Sequence, residues 1–225
     1  MAESIGREIT VDKIKIENLN FSYNNEVHIF EGTELTLQRG RIYLLTGNNG
    51  TGKSTLMRLL SGLISDGKTY NIQWYDEKAE RFNQLKNKMM YIKETPYLYD
   101  YLTGAENLEL LAEVLEVGDK SKIYENVRIY HLDKDLDKLV KEYSLGMRYK
   151  LFLCVAFSMK VELMLLDEPF SSLDNKGQKD AEKMLRDYVN NGGIAMIATH
   201  IEEYINRYKQ YQYNIEERKL VYYEG

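Results

Sequence analysis

The chain of 225 residues is 44% apolar and 29% charged, a composition that suits a folded core beneath a polar surface. Its formal net charge of −5 argues against a general nucleic-acid binder, because neutralising a phosphate backbone requires clustered lysine and arginine. The single cysteine excludes an internal disulfide, and no apolar run is long enough to span a bilayer, so we expect a cytoplasmic protein.

β-strands are predicted at the start of the chain. Apolar and polar residues alternate between positions 14 and 23, apart from a break near Asn18, and this pattern indicates one strand. Residues 24–26 look like a turn, and residues 34–38 look like a second strand that ends before Gly40. We therefore expect an antiparallel sheet layer ahead of the next motif.

The segment of residues 47–55 fits the phosphate-loop pattern G-x-x-x-x-G-K-[ST]. Its residues are Gly47, Asn48, Asn49, Gly50, Thr51, Gly52, Lys53, Ser54 and Thr55. Residues 41–46 predict a buried strand that enters the loop, and residues 53–61 predict a helix that leaves it. The backbone amides of such a loop surround a polyphosphate, with Lys53 on the β- and γ-phosphates and Ser54 on Mg²⁺. The alternative is a glycine-rich turn that binds nothing, but strand, loop and helix together favour a phosphate site.

Short strands and then helices are predicted after the loop helix. Residues 65–68 suggest a turn, and residues 70–74 and 88–93 suggest strands. Thr103 and Glu106 form a capping box ahead of leucines at helical spacing, and two further helices are indicated before residue 161. This helical insertion is a candidate subdomain.

Two adjacent carboxylates, Asp167 and Glu168, end the apolar strand predicted at residues 161–166. Neighbours in a strand point to opposite sides, so these two residues should have different roles. Asp167 can hold Mg²⁺, usually through water, and Glu168 can activate or orient an attacking water. Taken alone, two acids after a strand are most often a solvated turn. A phosphate loop upstream gives them a shared metal and substrate.

The last third of the chain alternates helix and strand. Residues 175–189 predict a helix, residues 192–193 a turn, and residues 194–198 another buried strand. Residues 211–213 and 220–223 flank a charged turn and predict a closing hairpin.

These motifs, in this order, resemble the ATP-binding subunit of an ABC transporter over nearly the full chain. Residues 143–147, Tyr-Ser-Leu-Gly-Met, are similar to the family signature, which is normally Leu-Ser-Gly-Gly-Gln. Residues 171–174, Ser-Ser-Leu-Asp, resemble the loop whose aspartate works across a dimer. His200 follows the predicted strand 194–198 and resembles the switch histidine that contacts the γ-phosphate. A histidine at a strand end is more often structural, but this one falls at the family's position.

The resemblance implies a head-to-tail dimer in which each subunit completes the other's site. Ser144 and Gly146 would bind the nucleotide held by the other subunit's phosphate loop, and Asp174 would act across the same interface. Tyr23 lies where the family places an aromatic ring that stacks on adenine. An ordinary strand tyrosine is the alternative in a chain that has 19 tyrosines.

Two positions depart from the family's pattern. Leu145 replaces the first signature glycine, whereas Ser144 and Gly146 are retained, so we expect the signature to function. Glu94 stands where the family has a glutamine that senses Mg²⁺ and the transporter. Both departures look similar to variants in the drug- and bacteriocin-export branch.

We therefore expect an α/β fold, with a P-loop NTPase core built on a mainly parallel sheet, an N-terminal antiparallel β layer and an inserted α-helical subdomain. The resemblance implies a single ABC ATPase domain over residues 1–225. Its RecA-like core with the β layer would cover 1–93 and 161–225, and its helical subdomain 94–160. It further implies hydrolysis of ATP with Mg²⁺ and a homo- or heterodimer of ATPase subunits. A separate membrane-spanning permease would export the substrate and provide the only membrane contact.

Two other function classes stay open at this point. One is an ABC-type ATPase that transports nothing and serves as a regulatory or assembly partner, as in iron–sulfur assembly or cell division. The other is a small-molecule kinase with the same phosphate loop, although Asp167, Glu168 and the signature argue against it. Identifying what accompanies the protein from native membranes would separate transport from regulation.

Overall fold

The computed structural model describes residues 13–24, 26–64 and 71–225. The strands in these ranges are β1 (Lys13–Tyr23), β2 (Val27–Gln38), β3 (Ile42–Thr46), β4 (Asn71–Trp74), β5 (Glu77–Ala79), β6 (Met89–Ile92), β7 (Leu163–Asp167), β8 (Ile194–Ala198), β9 (Tyr211–Glu216) and β10 (Lys219–Glu224). The α-helices are α1 (Lys53–Leu60), α2 (Gly104–Val114), α3 (Ser121–Ile129), α4 (Leu145–Ala156), α5 (Asn175–Asn190) and α6 (Glu202–Tyr208). Short 3-10 helices cover Phe82–Lys88 and Val140–Glu142.

A six-stranded sheet of order β10-β9-β3-β8-β7-β6 forms the centre of the fold. Neighbouring strands from β9 to β6 pair in parallel, and β10 alone pairs antiparallel, with β9. Parallel strands end at the same edge of a sheet, so the segments that follow β3, β7 and β8 lie side by side. The predicted α/β fold with a mainly parallel sheet is confirmed.

A second, antiparallel sheet of order β2-β1-β4-β5 forms the predicted N-terminal layer. The break predicted near Asn18 is a bulge within β1, where Asn18 has a φ of 55° and the register with β2 shifts. The second strand is longer than the predicted segment 34–38, because β2 already begins at Val27. The turn predicted at residues 65–68 lies outside the described residues.

The central sheet separates two hydrophobic cores. Successive residues of its buried strands alternate between them: Leu44 belongs to one core and Leu45 to the other, as do Met164 and Leu165. One core joins the sheet to α1 and the antiparallel layer. The other joins the sheet to α2, α3, α4 and α5, so the inserted helices pack on the same core as one face of the sheet.

Among the described strands and α-helices, β5 and α6 were not predicted from the sequence. β5 has only three residues, Glu-Lys-Ala, which show no apolar alternation and pair with β4 through the backbone. α6 buries Tyr204 and Tyr208, one helical turn apart, on a largely polar helix. That spacing was a usable signal, but the two tyrosines alone did not distinguish a helix from a loop.

The loop before α2 is held by hydrogen bonds from the start of that helix. The predicted capping box forms, since the Thr103 N–H donates to Glu106 Oε2 at 2.7 Å and the Glu106 N–H donates to Thr103 Oγ1 at 3.2 Å. Asn107, fully buried, accepts from the Tyr99 N–H at 2.8 Å. Its amide donates to the carbonyl oxygens of Tyr99, Leu102 and Thr103 at 3.0, 3.3 and 3.0 Å.

Replacing Asn107 by aspartate should destabilise the protein, because a carboxylate cannot donate to these three carbonyl oxygens. A buried polar group without partners costs ~1–3 kcal/mol, and a buried charge costs more. We expect urea denaturation to show that Asn107→Asp lowers the free energy of unfolding by ~3 kcal/mol or more. The same change at exposed Asn87 should stay within ~0.5 kcal/mol of wild type. Equal effects at both positions would contradict the role given to Asn107.

Candidate functional site

The phosphate loop connects β3 to α1 at the carboxyl edge of the central sheet. Gly47, Gly50 and Gly52 have φ angles of 140°, 82° and 110°, which side chains rarely adopt. Gly52 also lies against β2, because a Cβ atom there would come within 2.6 Å of Ile29 Cγ2. The antiparallel layer therefore packs against the phosphate loop and leaves no room for a side chain at position 52.

The inside of the loop carries positive potential. Lys53 Nζ donates to the carbonyl oxygens of Gly47 at 2.7 Å and Asn48 at 3.2 Å, so its ammonium group lies over the loop. Gly52 is the N-cap of α1 and has no side chain to cap the amides of the first turn. Those amides and Lys53 together provide the environment that a polyphosphate requires.

The remaining residues of the motif are placed around this loop. Asn48, Asn49 and Ser54 are exposed, and the Thr51 hydroxyl donates to the carbonyl oxygen of Asn48 at 2.9 Å. Thr55 Oγ1 lies 3.4 Å from the hydroxyl of a tyrosine on β1, described next.

Tyr23 ends β1 beside the start of α1. Its hydroxyl is the one that lies 3.4 Å from Thr55 Oγ1, and its ring packs edge-on against Phe21 with centroids 4.9 Å apart. The side chain is half-exposed. The structure thus brings Tyr23 next to the phosphate loop, and its role in stacking on adenine stays a prediction.

The two adjacent carboxylates after β7 contact different neighbouring strands. Asp167 Oδ2 accepts a hydrogen bond from Tyr91 of β6 at 3.1 Å. Glu168 leaves the strand with a φ of 51°, and its N–H donates to the carbonyl oxygen of Ala198 on β8 at 2.8 Å. The two residues therefore face different neighbours, and the left-handed backbone of Glu168 contributes to this as well as strand alternation. Their separate roles stay a prediction.

Glu168 is held by the segment that follows β8. The Thr199 hydroxyl and the His200 N–H donate to its Oε2 at 3.0 and 3.3 Å, and His200 Nδ1 lies 2.9 Å from Oε1. The Glu168 side chain is 16% exposed, whereas that of His200 is 76% exposed. A carboxylate fixed in this way can orient a water molecule, and the imidazole beside it remains accessible to a ligand.

The signature segment begins α4. Ser144 is the N-cap, and its Oγ accepts from the Met147 N–H at 3.2 Å. Because Oγ is the acceptor in this bond, the hydroxyl hydrogen of Ser144 can still be donated to a ligand. Leu145 is 52% exposed, so the side chain that replaces the first signature glycine points away from the core.

Gly146 is required by a contact within the chain. A Cβ atom at this position would approach the carbonyl oxygen of Ser172 to 2.8 Å, which is closer than real Cβ contacts come. Ser172 belongs to the loop that the sequence predicts to work across a dimer. The signature helix and that loop are therefore packed directly on each other.

Asp174 connects the same two segments through charge. It caps α5 by accepting from the Gly177 N–H at 2.9 Å, and Lys150 Nζ of α4 lies 2.8 Å from its Oδ1. The Lys150 ammonium, together with the Gly177 N–H, lowers the pKa of Asp174. No hydrogen bond in the described part of the chain joins Ser144, Gly146 or Asp174 to the phosphate loop.

A further residue, Gln178 of α5, holds the backbone of this loop. Its amide donates to the carbonyl oxygens of Phe170 and Leu173 at 3.0 and 3.1 Å. Its Oε1 accepts from the Tyr204 hydroxyl at 3.2 Å, and the Tyr204 ring stacks on Phe170 with centroids 3.8 Å apart. The helix that follows His200 is thereby fastened to the loop that follows Glu168.

Glu94, the predicted metal and transporter sensor, is exposed in the loop after β6. Its charge reaches Tyr149 of α4, whose hydroxyl is buried without a hydrogen-bond partner. Burial raises the pKa of Tyr149 most, and the charges of Asp167, Glu94 and Glu168 raise it further. The charges of all three predicted acidic residues thus act on the same buried hydroxyl.

Sequence reasoning missed four residues that hold the predicted ones in place: Tyr91, Lys150, Gln178 and Thr199. Thr199 adjoins the predicted histidine and could have been proposed as a partner for a carboxylate. Tyr91 and Lys150 contact residues 76 and 24 positions further along the chain, and Gln178 joins the loop just before α5 to Tyr204. Their roles depend on strand register and helix packing, which a single sequence does not give.

Comparison with known proteins agrees with the predicted resemblance. Residues 30–171 match the family described as ABC transporter. The lantibiotic transport ATP-binding protein SrtF of Streptococcus pyogenes is 30% identical over 190 residues, which cover 84% of this chain and 80% of SrtF. The bacitracin transport ATP-binding protein BcrA of Enterococcus faecalis is 34% identical over 191 residues, covering 84% of this chain and 61% of BcrA.

The fold also has close structural counterparts. One solved structure, of an ATP-binding subunit of an ABC transporter, superposes with a TM-score of 0.83 at 24% identity. The match covers 94% of this chain and 89% of the solved chain. Within the described residues, none of the helices is long and apolar enough to cross a membrane.

The contact between Gly146 and Ser172 gives a direct test of the signature segment. Gly146→Ala should push α4 and the loop apart, because its Cβ would lie 2.8 Å from a backbone oxygen. We expect nucleotide binding at the phosphate loop to stay close to wild type and ATP turnover to fall ~10-fold or more, as small misplacements of reacting groups do. The matched control is Gly118→Ala, where a Cβ meets nothing within 4 Å. Wild-type turnover in both variants would contradict the proposed packing constraint.

Proposed function

The chain belongs to the ABC transporter family, and from that premise we propose that it hydrolyses ATP in a head-to-tail dimer to drive export through a separate membrane subunit. The observation that carries the proposal is the arrangement at the edge of the central sheet. The phosphate loop after β3, the carboxylates after β7 and His200 after β8 occupy the ends of parallel strands. Active sites of open α/β sheets are built at this edge.

ATP would bind with its phosphates against the loop of residues 47–55. Lys53 and the first-turn amides of α1 supply the positive potential, and the glycines let the backbone turn toward the ligand. Tyr23, half-exposed beside Thr55, is available to stack on the adenine ring.

The donor set fits Mg²⁺ bound together with a nucleotide. The described residues contain no cluster of three or more His, Cys, Asp or Glu side chains that could hold a metal ion with protein ligands alone. Mg²⁺ that binds with a nucleotide needs only one or two carboxylates or hydroxyls besides the substrate phosphates, and here Ser54, Asp167 and Glu94 would provide them. The metal would supply positive charge that offsets the negative charge of the phosphates.

Hydrolysis would depend on the pair Glu168 and His200. Glu168 is fixed by Thr199 and by the His200 backbone, so its carboxylate can orient the attacking water and accept its proton. The exposed His200 ring and Lys53 would contact the γ-phosphate and stabilise the charge that spreads over it during transfer.

The nucleotide site would be completed by a second subunit. Ser144 has a hydroxyl hydrogen to donate, and it stands at the positive end of α4 beside the loop that carries Asp174. In a two-fold dimer these groups would face the ATP held by the partner's phosphate loop. The close packing of Gly146 on Ser172 would fix the position of Ser144 relative to Asp174 when both contact the partner's ATP.

A tyrosine patch offers a surface for the membrane subunit. The patch consists of Tyr97, Tyr99 and Tyr101, which are 67%, 47% and 83% exposed in the loop that follows Glu94. Large exposed aromatic side chains grouped on one loop mark an interaction site. Arg148 Nη1 of α4 lies 2.6 Å from Asp100 Oδ1 in the same loop, and this ion pair connects the tyrosine patch to the signature helix.

The named relatives point to the class of substrate. SrtF and BcrA are named for transport of a lantibiotic and of bacitracin. We extend this to the present chain as export of a peptide antibiotic by a permease at the cell membrane, with the ATPase on its cytoplasmic face. The division into a core (1–93 and 161–225) and a helical subdomain (94–160) belongs to the same proposal.

Glu168→Gln should keep ATP binding and lose turnover, because an amide cannot take the proton of the attacking water. Removal of a general base typically costs ~10²–10⁴-fold in rate. Uncleaved ATP should then hold two subunits together, which size measurement with ATP and Mg²⁺ will show. The control is Glu202→Gln, an exposed glutamate in the first turn of α6.

The opposite outcome is equally clear. A Glu168→Gln protein that stays monomeric and hydrolyses ATP at the wild-type rate would contradict the proposed function. The ATP-locked variant should also retain a membrane-spanning protein when it is purified from native membranes. Retention of a regulatory partner without a membrane protein would contradict the transport role alone.

A further inference from the structure

The hydroxyl of Tyr91 is hydrogen-bonded to a carboxylate that the proposed function assigns to Mg²⁺. It donates to Asp167 Oδ2 at 3.1 Å. The register explains how the two meet: Tyr91 pairs with Leu165, two residues before Asp167 on the adjacent parallel strand. Side chains two residues apart in a strand share a face, so Tyr91 and Asp167 both lie on the face that carries α1.

Tyr91 is suited to be a permanent donor to this carboxylate. Its ring is partly buried and packs on the core shared with α1, which limits its movement. A tyrosine hydroxyl is neutral at physiological pH, so it has a hydrogen to donate. A neutral hydroxyl can donate to a carboxylate oxygen and leaves the negative charge of the carboxylate available to a cation.

We propose that Tyr91 is a positioning residue that fixes the Asp167 carboxylate for Mg²⁺ by donating to Oδ2, leaving the other oxygen for the metal and its waters. The inference rests on the proposed function, because it assumes that Asp167 serves the metal. Asp167 is the last residue of β7, where the side chain is only partly enclosed. Without the hydrogen bond the carboxylate would have to be ordered when the metal binds.

Partners that orient metal ligands have measurable effects. Loss of such a partner typically costs ~10–100-fold in metal affinity or activity. Tyr91→Phe keeps the ring in the core and removes only the hydroxyl. We therefore expect it to act on the metal dependence of the protein and to leave the fold intact.

The experiment compares Tyr91→Phe with Tyr124→Phe. Tyr124 of α3 donates to Glu109 Oε1 at 2.8 Å, so the control removes the same kind of bond, a tyrosine hydroxyl on a carboxylate, away from the site. The melting temperature is measured with a saturating non-hydrolysable ATP analogue while the Mg²⁺ concentration is raised. The Mg²⁺ dependence of ATP hydrolysis is measured in parallel.

We expect Tyr91→Phe to need ~10–100-fold more Mg²⁺ for half of the melting shift and for half-maximal hydrolysis. At saturating Mg²⁺ its turnover should return toward wild type, and without metal it should melt like Tyr124→Phe. Equal Mg²⁺ midpoints for the two variants would overturn the inference and leave the proposed function standing. A lower metal-free melting temperature with an unchanged midpoint would also overturn it, because it would show a purely structural role. A wild-type protein that responds to neither ATP nor Mg²⁺ would overturn both.

Discussion

Parallel pairing of the central strands is the constraint on which the candidate site depends. Because β3, β8, β7 and β6 run in one direction, everything that follows them in the chain emerges at one edge of the sheet. The phosphate loop, the two carboxylates and His200 are far apart in sequence, and this geometry places all of them at that edge. The buried residues of β7 and β8 are apolar, so the polar groups of this region lie at and beyond the ends of the strands.

The segments that are proposed to act between subunits are also joined to one another within the chain. Gly146 against Ser172 and Lys150 with Asp174 join the signature helix α4 to the loop before α5. Tyr204 with Gln178 joins α6, the helix after His200, to α5. Ser144 and Asp174 are thus held by the same framework that holds Glu168 and His200. In the proposed dimer, a change at one subunit's γ-phosphate would therefore shift the groups that the same subunit offers to its partner.

Much of this could be predicted from the sequence because the signals were local. The phosphate loop, the Thr103 capping box and the buried strand 194–198 each depend on residues that are neighbours in the chain, and each appears as expected. The contacts that orient the site could not be predicted in this way. Tyr91 meets Asp167 only through the register of two strands, and Lys150 meets Asp174 only through the packing of two helices. The left-handed backbone of Glu168 is likewise set by its bond to β8, since glutamate does not favour that conformation.

In the proposed dimer, each subunit lacks part of its own site and receives it from a second copy or a similar subunit. The most direct measurement is the mass of the protein with ATP and Mg²⁺ in a Ser144→Arg, Glu168→Gln double variant, compared with Glu168→Gln alone. Arginine at the N-cap of α4 would place a bulky cation where the partner's γ-phosphate must approach the helix amides. We expect the double variant to bind ATP as a monomer, whereas Glu168→Gln should form an ATP-dependent dimer. An ATP-dependent dimer of the same stability in both proteins would contradict a site shared between subunits.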